Sequence, residues 1–298
     1  MIRFAVLIFA ALLATANVTP AWAEDRPSGV DIRVEGDGWA VPSETIQKTL
    51  FAVAGVLLPH VSRTPDAPIV VTHTNGPPVT LYERGPHGEY LVHLHASGAR
   101  WHLYVYEFAH ELTHILSNYQ HNVVQDATRH NQWLEESLCE TASLFVLDRL
   151  GASWQQASRD PEAVARGAAL RGFFDALIDE PHRRLPAGYS FASWLADNES
   201  SLRRDPYLRR QDDLVARRLL PLFERDPDGW DAVRYLNLDA GDNDATLAQF
   251  LGHWHANAPA SHKPFVESVL NALAGQNHET GSPGLERALS RHPCCRKG

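Results

Sequence analysis

The amino-acid sequence predicts an α+β protein, in which a small N-terminal sheet with helices is followed by a mainly helical C-terminal part. Between residues 30 and 95, short apolar or alternating segments bounded by Gly and Pro are typical of strands. After Gly151 the apolar residues recur at helical spacing, and prolines separate successive segments. The chain has 298 residues, which is enough for one large core or two smaller ones.

The N-terminal part is predicted to contain four strands and one helix. Residues 43–58 form the predicted helix, and Ser43 is its candidate N-cap because its hydroxyl can accept a backbone hydrogen bond. Two alternating segments flank Gly85-Pro86-His87-Gly88, which predicts a β-hairpin. The predicted strands are residues 30–34, 68–72, 79–83 and 89–95.

Two apolar helices are predicted to follow the strands. Residues 101–118 contain neither Gly nor Pro, and apolar side chains recur all around the helix, so we expect it to be mostly buried. Residues 131–145 have the same character, with Asn131 as a candidate N-cap. The connection between the two segments is long enough for a turn, so the second helix can pack against the first.

The first of these helices carries the pattern His-Glu-x-x-His. His110 and His114 are four residues apart, so both imidazoles lie on one face of the helix and can bind one zinc ion. Glu111 follows the first histidine and can act as a base toward a water molecule at the metal. The alternative is a pair of satisfied surface histidines in a chain with 16 His. The predicted burial of the helix favours the metal, because buried imidazoles need partners.

The second helix contains Trp133-Leu134-Glu135-Glu136-Ser137, and with the preceding motif it resembles the thermolysin-like gluzincin group of zinc metallopeptidases. In gluzincins a W-L-x-E-G-like helix, roughly twenty residues after the motif, carries the third zinc ligand. The resemblance implies Glu136 as this ligand, with Glu135 as the competing assignment. Ser137 stands where a glycine is common. The close resemblance covers residues 101–150.

The resemblance also implies a mechanism and supporting residues. It implies a zincin-like fold, one bound Zn²⁺ ion, and Glu111 as the general base in peptide-bond hydrolysis. Glu140, one turn beyond the implied ligand, is the implied hydrogen-bond partner of a zinc-bound histidine. Tyr189 lies in a glycine-tyrosine segment and is the implied oxyanion donor, with Tyr207 as the other option. Residues 89–95 are the implied sheet edge, to which an extended substrate adds by backbone pairing.

The C-terminal part is predicted to be helical, and the chain as a whole is predicted to have three parts. These are a signal peptide at residues 1–23, an α/β core at 24–150 and a helical subdomain at 151–298. The predicted C-terminal helices are residues 161–180, 190–203, 206–224, 228–237, 244–257 and 263–274.

The N-terminus predicts export. Arg3 precedes about a dozen apolar residues, and Ala21-Trp22-Ala23 is typical of a signal-peptide cleavage site. The apolar run is too short to span a bilayer, so no stable membrane association is expected after cleavage. The predicted location is therefore periplasmic or secreted. An uncleaved N-terminal anchor is the alternative.

Charge and cysteine content limit the partners. The formal net charge of −9 argues against a general nucleic-acid binder, and the arginines between residues 203 and 218 alternate with aspartates, as on a solvated helix face. The three cysteines do not form a disulfide framework. Cys139 is predicted to be a buried apolar residue, and Cys294 and Cys295 are predicted to lie in a terminal tail.

The leading functional hypothesis is an exported zinc metallopeptidase that acts on peptides or proteins. A zinc-dependent hydrolase of another amide, such as cell-wall material, is the first alternative. A non-catalytic zinc-binding recognition module is the second, and an exported helical binding protein without a metal is the third. Glu111 favours an enzyme, because a structural zinc site needs no base and usually fills all four positions with protein ligands.

Overall fold

Over the residues that the computed structural model describes (29–120, 129–156 and 160–275), the chain is an α+β protein. Within these ranges nine α-helices accompany a four-stranded mixed sheet near the N-terminus, which confirms the predicted fold class at this level. The strands are β1 (Ile32–Val34), β2 (Ile69–His73), β3 (Val79–Thr80) and β4 (Tyr90–Leu94).

The sheet has the strand order β1-β2-β4-β3. Strands β1, β2 and β4 run parallel, whereas β3 precedes the predicted hairpin turn and pairs antiparallel with β4, which follows it. Ile69, Val71 and Val92 are fully buried and alternate with half-buried neighbours, as expected for a sheet that packs on the core through one face. The prediction that residues 89–95 form the sheet edge is wrong, because β4 is paired on both sides. The edge strand beside it is β3.

Three long helices contribute to the core, namely α1 (Ser43–Leu57), α2 (Trp101–Leu116) and α3 (Gln132–Gln156), and α1 and α2 pack against the sheet. Helices α2 and α3 pack against each other. Both are buried almost all around, and Tyr104, Phe108 and Trp133 are fully inaccessible to solvent. The apolar composition of these two segments therefore predicted their burial correctly.

The remaining helices follow the predicted segments closely. They are α4 (Pro161–Asp179), α5 (Phe191–Arg204), α6 (Arg209–Arg225), α7 (Trp230–Val233), α8 (Leu247–Asn257) and α9 (Lys263–Leu273). The largest difference is the segment predicted at 228–237. There a 3₁₀ turn at Pro227–Gly229 leads into a four-residue helix.

The two predicted N-caps do not cap their helices in the predicted way. Pro42 is the N-cap residue of α1 and makes no side-chain cap, so the prediction for Ser43 is wrong by one position. The Asn131 side chain instead donates to the Ala245 carbonyl and accepts from Arg203. It thereby ties the start of α3 to the C-terminal part.

The two predicted main parts share one core. The predicted boundary between residues 150 and 151 lies inside α3, and buried apolar residues from both sides form one continuous cluster. None of the helices in the described ranges combines the length and the hydrophobicity that a membrane crossing requires. The predicted signal peptide and the cysteines at positions 294 and 295 lie outside those ranges.

Candidate metal centre

The two histidines of the motif lie side by side on α2. The ring centroids of His110 and His114 are 5.1 Å apart, as expected for positions one helical turn apart. Both side chains are mostly buried, at 13% and 12% exposed, and both line the same cavity. The spacing in the sequence therefore predicted their common face correctly.

Glu136 on α3 faces both imidazoles. Its Oε2 atom lies 3.2 Å from His110 Nε2 and 3.6 Å from His114 Nε2. Burial raises the pKa of this carboxyl, but the charge of His114 and hydrogen bonds from both histidines outweigh burial and hold the pKa well below its usual range. Two nitrogens and one anionic oxygen thus converge on one point, which is a donor set that suits zinc.

Glu135 lies behind His114 and fixes its orientation. Its Oε1 atom accepts from His114 Nδ1 at 2.7 Å, so the other ring nitrogen, Nε2, faces Glu136. Arg129 at 2.6 Å, Asn237 at 2.9 Å and Ser117 at 3.1 Å donate to the same carboxylate. Burial raises the pKa of Glu135, but Arg129 and His114 lower it to about 2. This carboxylate is therefore ionised and fully bonded.

Glu140 does not make the predicted hydrogen bond to a histidine. Its carboxylate accepts from the Tyr106 hydroxyl and forms an ion pair with Arg183 at 2.8 Å. The hydrogen bond predicted between Glu140 and a histidine is made instead by Glu135, the alternative candidate for the third ligand.

His110 has no such hydrogen-bond partner behind it. Its Nδ1 atom is buried without a hydrogen-bond partner among the described residues.

Glu111 lies on the same helix and lines the same cavity. It is 2% exposed, and its Oε2 atom accepts from the Thr80 hydroxyl at 2.8 Å. The same hydroxyl also lies 3.1 Å from the Glu111 carbonyl oxygen. Thr80 on β3 therefore fixes the Glu111 carboxylate through its Oε2 atom. The other carboxylate oxygen, Oε1, makes no hydrogen bond with Thr80.

Cys139 is a competing third ligand on geometric grounds. It forms a group with His110 and His114 whose donor atoms lie within 4.8 Å of one another. Cys139 is fully buried, however, and does not line the cavity. Burial raises the pKa of its thiol to about 12, which opposes the thiolate that a metal requires. Glu136 is the better candidate, because its carboxylate is ionised and lies between both histidines.

The cavity beside the histidines has a volume of about 590 Å³. Its walls come from β3 and its neighbours, from α2 and α3, and from the start of α6. Tyr207 lines the cavity, and its hydroxyl accepts from Gln132 at 3.0 Å. Tyr189 does not line it, although both tyrosines are exposed, Tyr207 at 65% and Tyr189 at 49%. Of the two tyrosines considered as oxyanion donors, only Tyr207 lies at the site.

Two other groups in the described residues have side chains able to hold a metal ion. They are Glu180 with His182 and Asp213, and Asp239 with Asp242 and His253. In the first group the Arg183 guanidinium already pairs with Glu180 and Asp213. The protein thus has several His, Asp and Glu groups compatible with a metal, and only the one at His110 and His114 combines with the His-Glu-x-x-His motif.

Replacement of Glu135 by Gln is expected to weaken zinc binding about 10- to 100-fold, because it removes the anionic partner that orients His114. The measurement is competition for zinc with a coloured chelator. Glu140→Gln is the matched control on the next turn of α3, and it should change the affinity little. A larger loss in Glu140→Gln than in Glu135→Gln would contradict this arrangement.

Comparisons with protein-family models, with curated proteins and with solved structures find no match for this chain. The resemblance to gluzincins therefore stays a prediction that rests on the motif residues.

Proposed function

We propose that this protein is an exported zinc metallopeptidase with a zincin-like fold, in which His110, His114 and Glu136 hold one zinc ion. The observation that carries the proposal is the convergence of His110 Nε2, His114 Nε2 and Glu136 Oε2 at the wall of a cavity that also contains Glu111. Export, to the periplasm or the medium, is proposed from the composition of residues 1–23 alone.

The residues around this point suit hydrolysis of an amide. When bound, zinc lowers the pKa of water and polarises a carbonyl group. Glu111 takes up the proton of the attacking water and passes it to the leaving amine. Thr80 restrains the carboxylate that carries this proton. Glu135 keeps His114 in the tautomer whose Nε2 atom is free to bind a metal.

The edge strand that lines the cavity supports a peptide as substrate. Strand β3 lines the cavity and, among the strands of the described residues, pairs with β4 alone, so its other side offers backbone groups to an extended chain. Val79, the exposed residue of this strand, and the two prolines before it lie along the same wall. We propose that a peptide adds to β3, rather than to the predicted edge at residues 89–95.

The experiment that tests the function is metal analysis of the purified mature protein by mass spectrometry, followed by cleavage assays on a peptide mixture. One zinc per chain and hydrolysis that stops on chelation are expected. Absence of zinc after reconstitution would refute the proposal. One bound zinc without any cleavage would favour the non-catalytic recognition module instead.

The same preparation should lose zinc as the pH falls. Burial lowers the pKa of His114, but Cys139, the charge of Glu136 and the Glu135 hydrogen bond raise it well above its ordinary value. Zinc must displace this proton, so affinity should fall about tenfold per pH unit for each proton displaced. Zinc retention that is unchanged between pH of about 7.5 and about 5 would contradict this ligand set.

Tyr207→Phe is expected to lower kcat about 10²- to 10³-fold if its hydroxyl stabilises the oxyanion of the reaction. The hydroxyl lines the cavity and is held by Gln132, whereas Tyr189 is outside it. Tyr189→Phe is the matched control and should leave kcat unchanged. Equal activity of both variants would remove Tyr207 from the mechanism.

A further inference from the structure

The cavity lining outside the motif helix contains a buried carboxyl group without a partner. Asp212, near the start of α6, is 5% exposed and lines the cavity. Its Oδ1 atom is buried, and the Asp212 side chain forms no hydrogen bond or ion pair within the described ranges. A buried carboxylate without a partner is costly, and such groups are rare outside functional sites.

The neighbouring acidic groups are committed to other partners. Arg183 pairs with Glu140 at 2.8 Å and with Asp213 at 3.2 Å, and His182 also bonds Asp213, at 2.6 Å. Arg209 lines the cavity but forms no ion pair with Asp212 within 4.0 Å. Asp212 is thus a carboxyl of this wall without an ion-pair partner among the described residues.

The electrostatic environment of Asp212 favours the binding of a cation. Burial, followed by the charges of Glu136, Asp213 and Glu140, raises the pKa of Asp212 to about 9. Arg209 opposes this shift without cancelling it, so the raised pKa favours the neutral acid in the protein alone. A ligand cation placed against it would favour the carboxylate and release one proton.

We propose that Asp212 is a specificity subsite, which binds an ammonium or guanidinium group of the substrate next to the metal centre. As a subsite for a substrate it rests on the proposed function. A second metal ion fits less well, because Asp213 and Glu140 are held by Arg183 and leave Asp212 without companion ligands. Pro77, Pro78 and Val79 line the same cavity and suit the alkyl stem of such a substrate.

The cation can come from two sources, the peptide N-terminus or a basic side chain. Three tetrapeptides of otherwise identical sequence separate them, titrated by calorimetry into the inactive Glu111→Gln protein. One has a free N-terminus and no basic residue, one is acetylated and contains a lysine, and one is acetylated with norleucine in place of lysine. We expect one of the two cationic peptides to bind at least about tenfold more tightly than the neutral one.

Asp212→Asn in the same background should abolish this preference and leave the affinity for the neutral peptide unchanged. The variant mimics the size and neutrality of the protonated acid, so we expect it to fold. Asp197→Asn, at an exposed position on α5 outside the cavity, is the matched control and should keep the preference. Cation binding should also release a proton, seen as a heat that depends on the ionisation enthalpy of the buffer.

Equal affinity for all three peptides, or no binding of any of them, would overturn the proposal, as would a preference that survives Asp212→Asn. Repeating the titration on metal-free protein separates the two proposals. A cation preference in a protein that binds no zinc would sustain the subsite and refute the metallopeptidase. Zinc-dependent cleavage without cation preference would do the reverse.

Discussion

Glu111→Gln is expected to bind one zinc ion with nearly unchanged affinity and to lose peptide hydrolysis about 10²- to 10⁴-fold. Glutamine has the shape of glutamate and can keep the hydrogen bond from Thr80, but it cannot take up a proton. The loss should therefore appear in kcat rather than in KM. Zinc content by mass spectrometry and steady-state cleavage of one peptide give both quantities.

Glu136→Ala should show the opposite pattern, with loss of zinc as the first effect. Its carboxylate is the only one of the cavity that lies within 4.0 Å of the Nε2 atoms of both His110 and His114 among the described residues. Glu35→Gln, at an exposed position before α1, is the control for a general effect of losing a carboxylate. Retention of zinc in Glu136→Ala would move the third ligand to Cys139.

The helices, and the face that His110 and His114 share, could be predicted from the sequence because the information for both is local. A spacing of four residues places His110 and His114 on one face of any helix, whatever surrounds it. The apolar character of the two segments that become α2 and α3 likewise predicted burial. Strand positions were predicted as well, but not their order, because pairing of β2 with β4 depends on contacts between residues distant in the sequence.

The roles of neighbouring acidic residues could not be predicted in the same way. Glu135 and Glu136 are adjacent in the sequence, and only the rotation of α3 against α2 decides which one faces the two Nε2 atoms. Glu135 accepts hydrogen bonds from Arg129 and Asn237, and Asn237 lies about a hundred residues further along the chain. Glu140 likewise forms an ion pair with Arg183, which is distant in the sequence. These partners carry no signature in the sequence.

Asp212 and Tyr207 illustrate a second limit. Both reach the cavity because α6 packs against α3. In the sequence they belong to an arginine-rich segment that predicts a solvated helix face. That prediction holds only for its first half, where Arg204, Arg209 and Arg210 are exposed, because residues 212–216 are buried. A buried aspartate in such a segment is visible only once the helix is placed.

Arg183 forms ion pairs with acidic side chains of the cavity wall. Among the substitutions proposed for this protein, its replacement should lower the free energy of unfolding most. The side chain is 2% exposed and pairs with Glu140, Asp213 and Glu180 at distances of 2.8 to 3.2 Å. Removing it leaves two buried carboxylates, on α3 and α6, without their common cation. Stranded buried charges of this kind cost about 3–5 kcal/mol.

Arg183→Met is therefore expected to lower the melting temperature by roughly 6–20 °C, measured by calorimetry or circular dichroism. Arg184→Met is the adjacent control. Its side chain is 55% exposed and pairs with Asp179 on the surface, so about 0–1 kcal/mol is expected. The double variant Arg183→Met with Glu140→Gln should recover part of the loss, since one stranded charge is removed. A double variant less stable than Arg183→Met alone would show that Glu140 is held by Tyr106 rather than by the arginine.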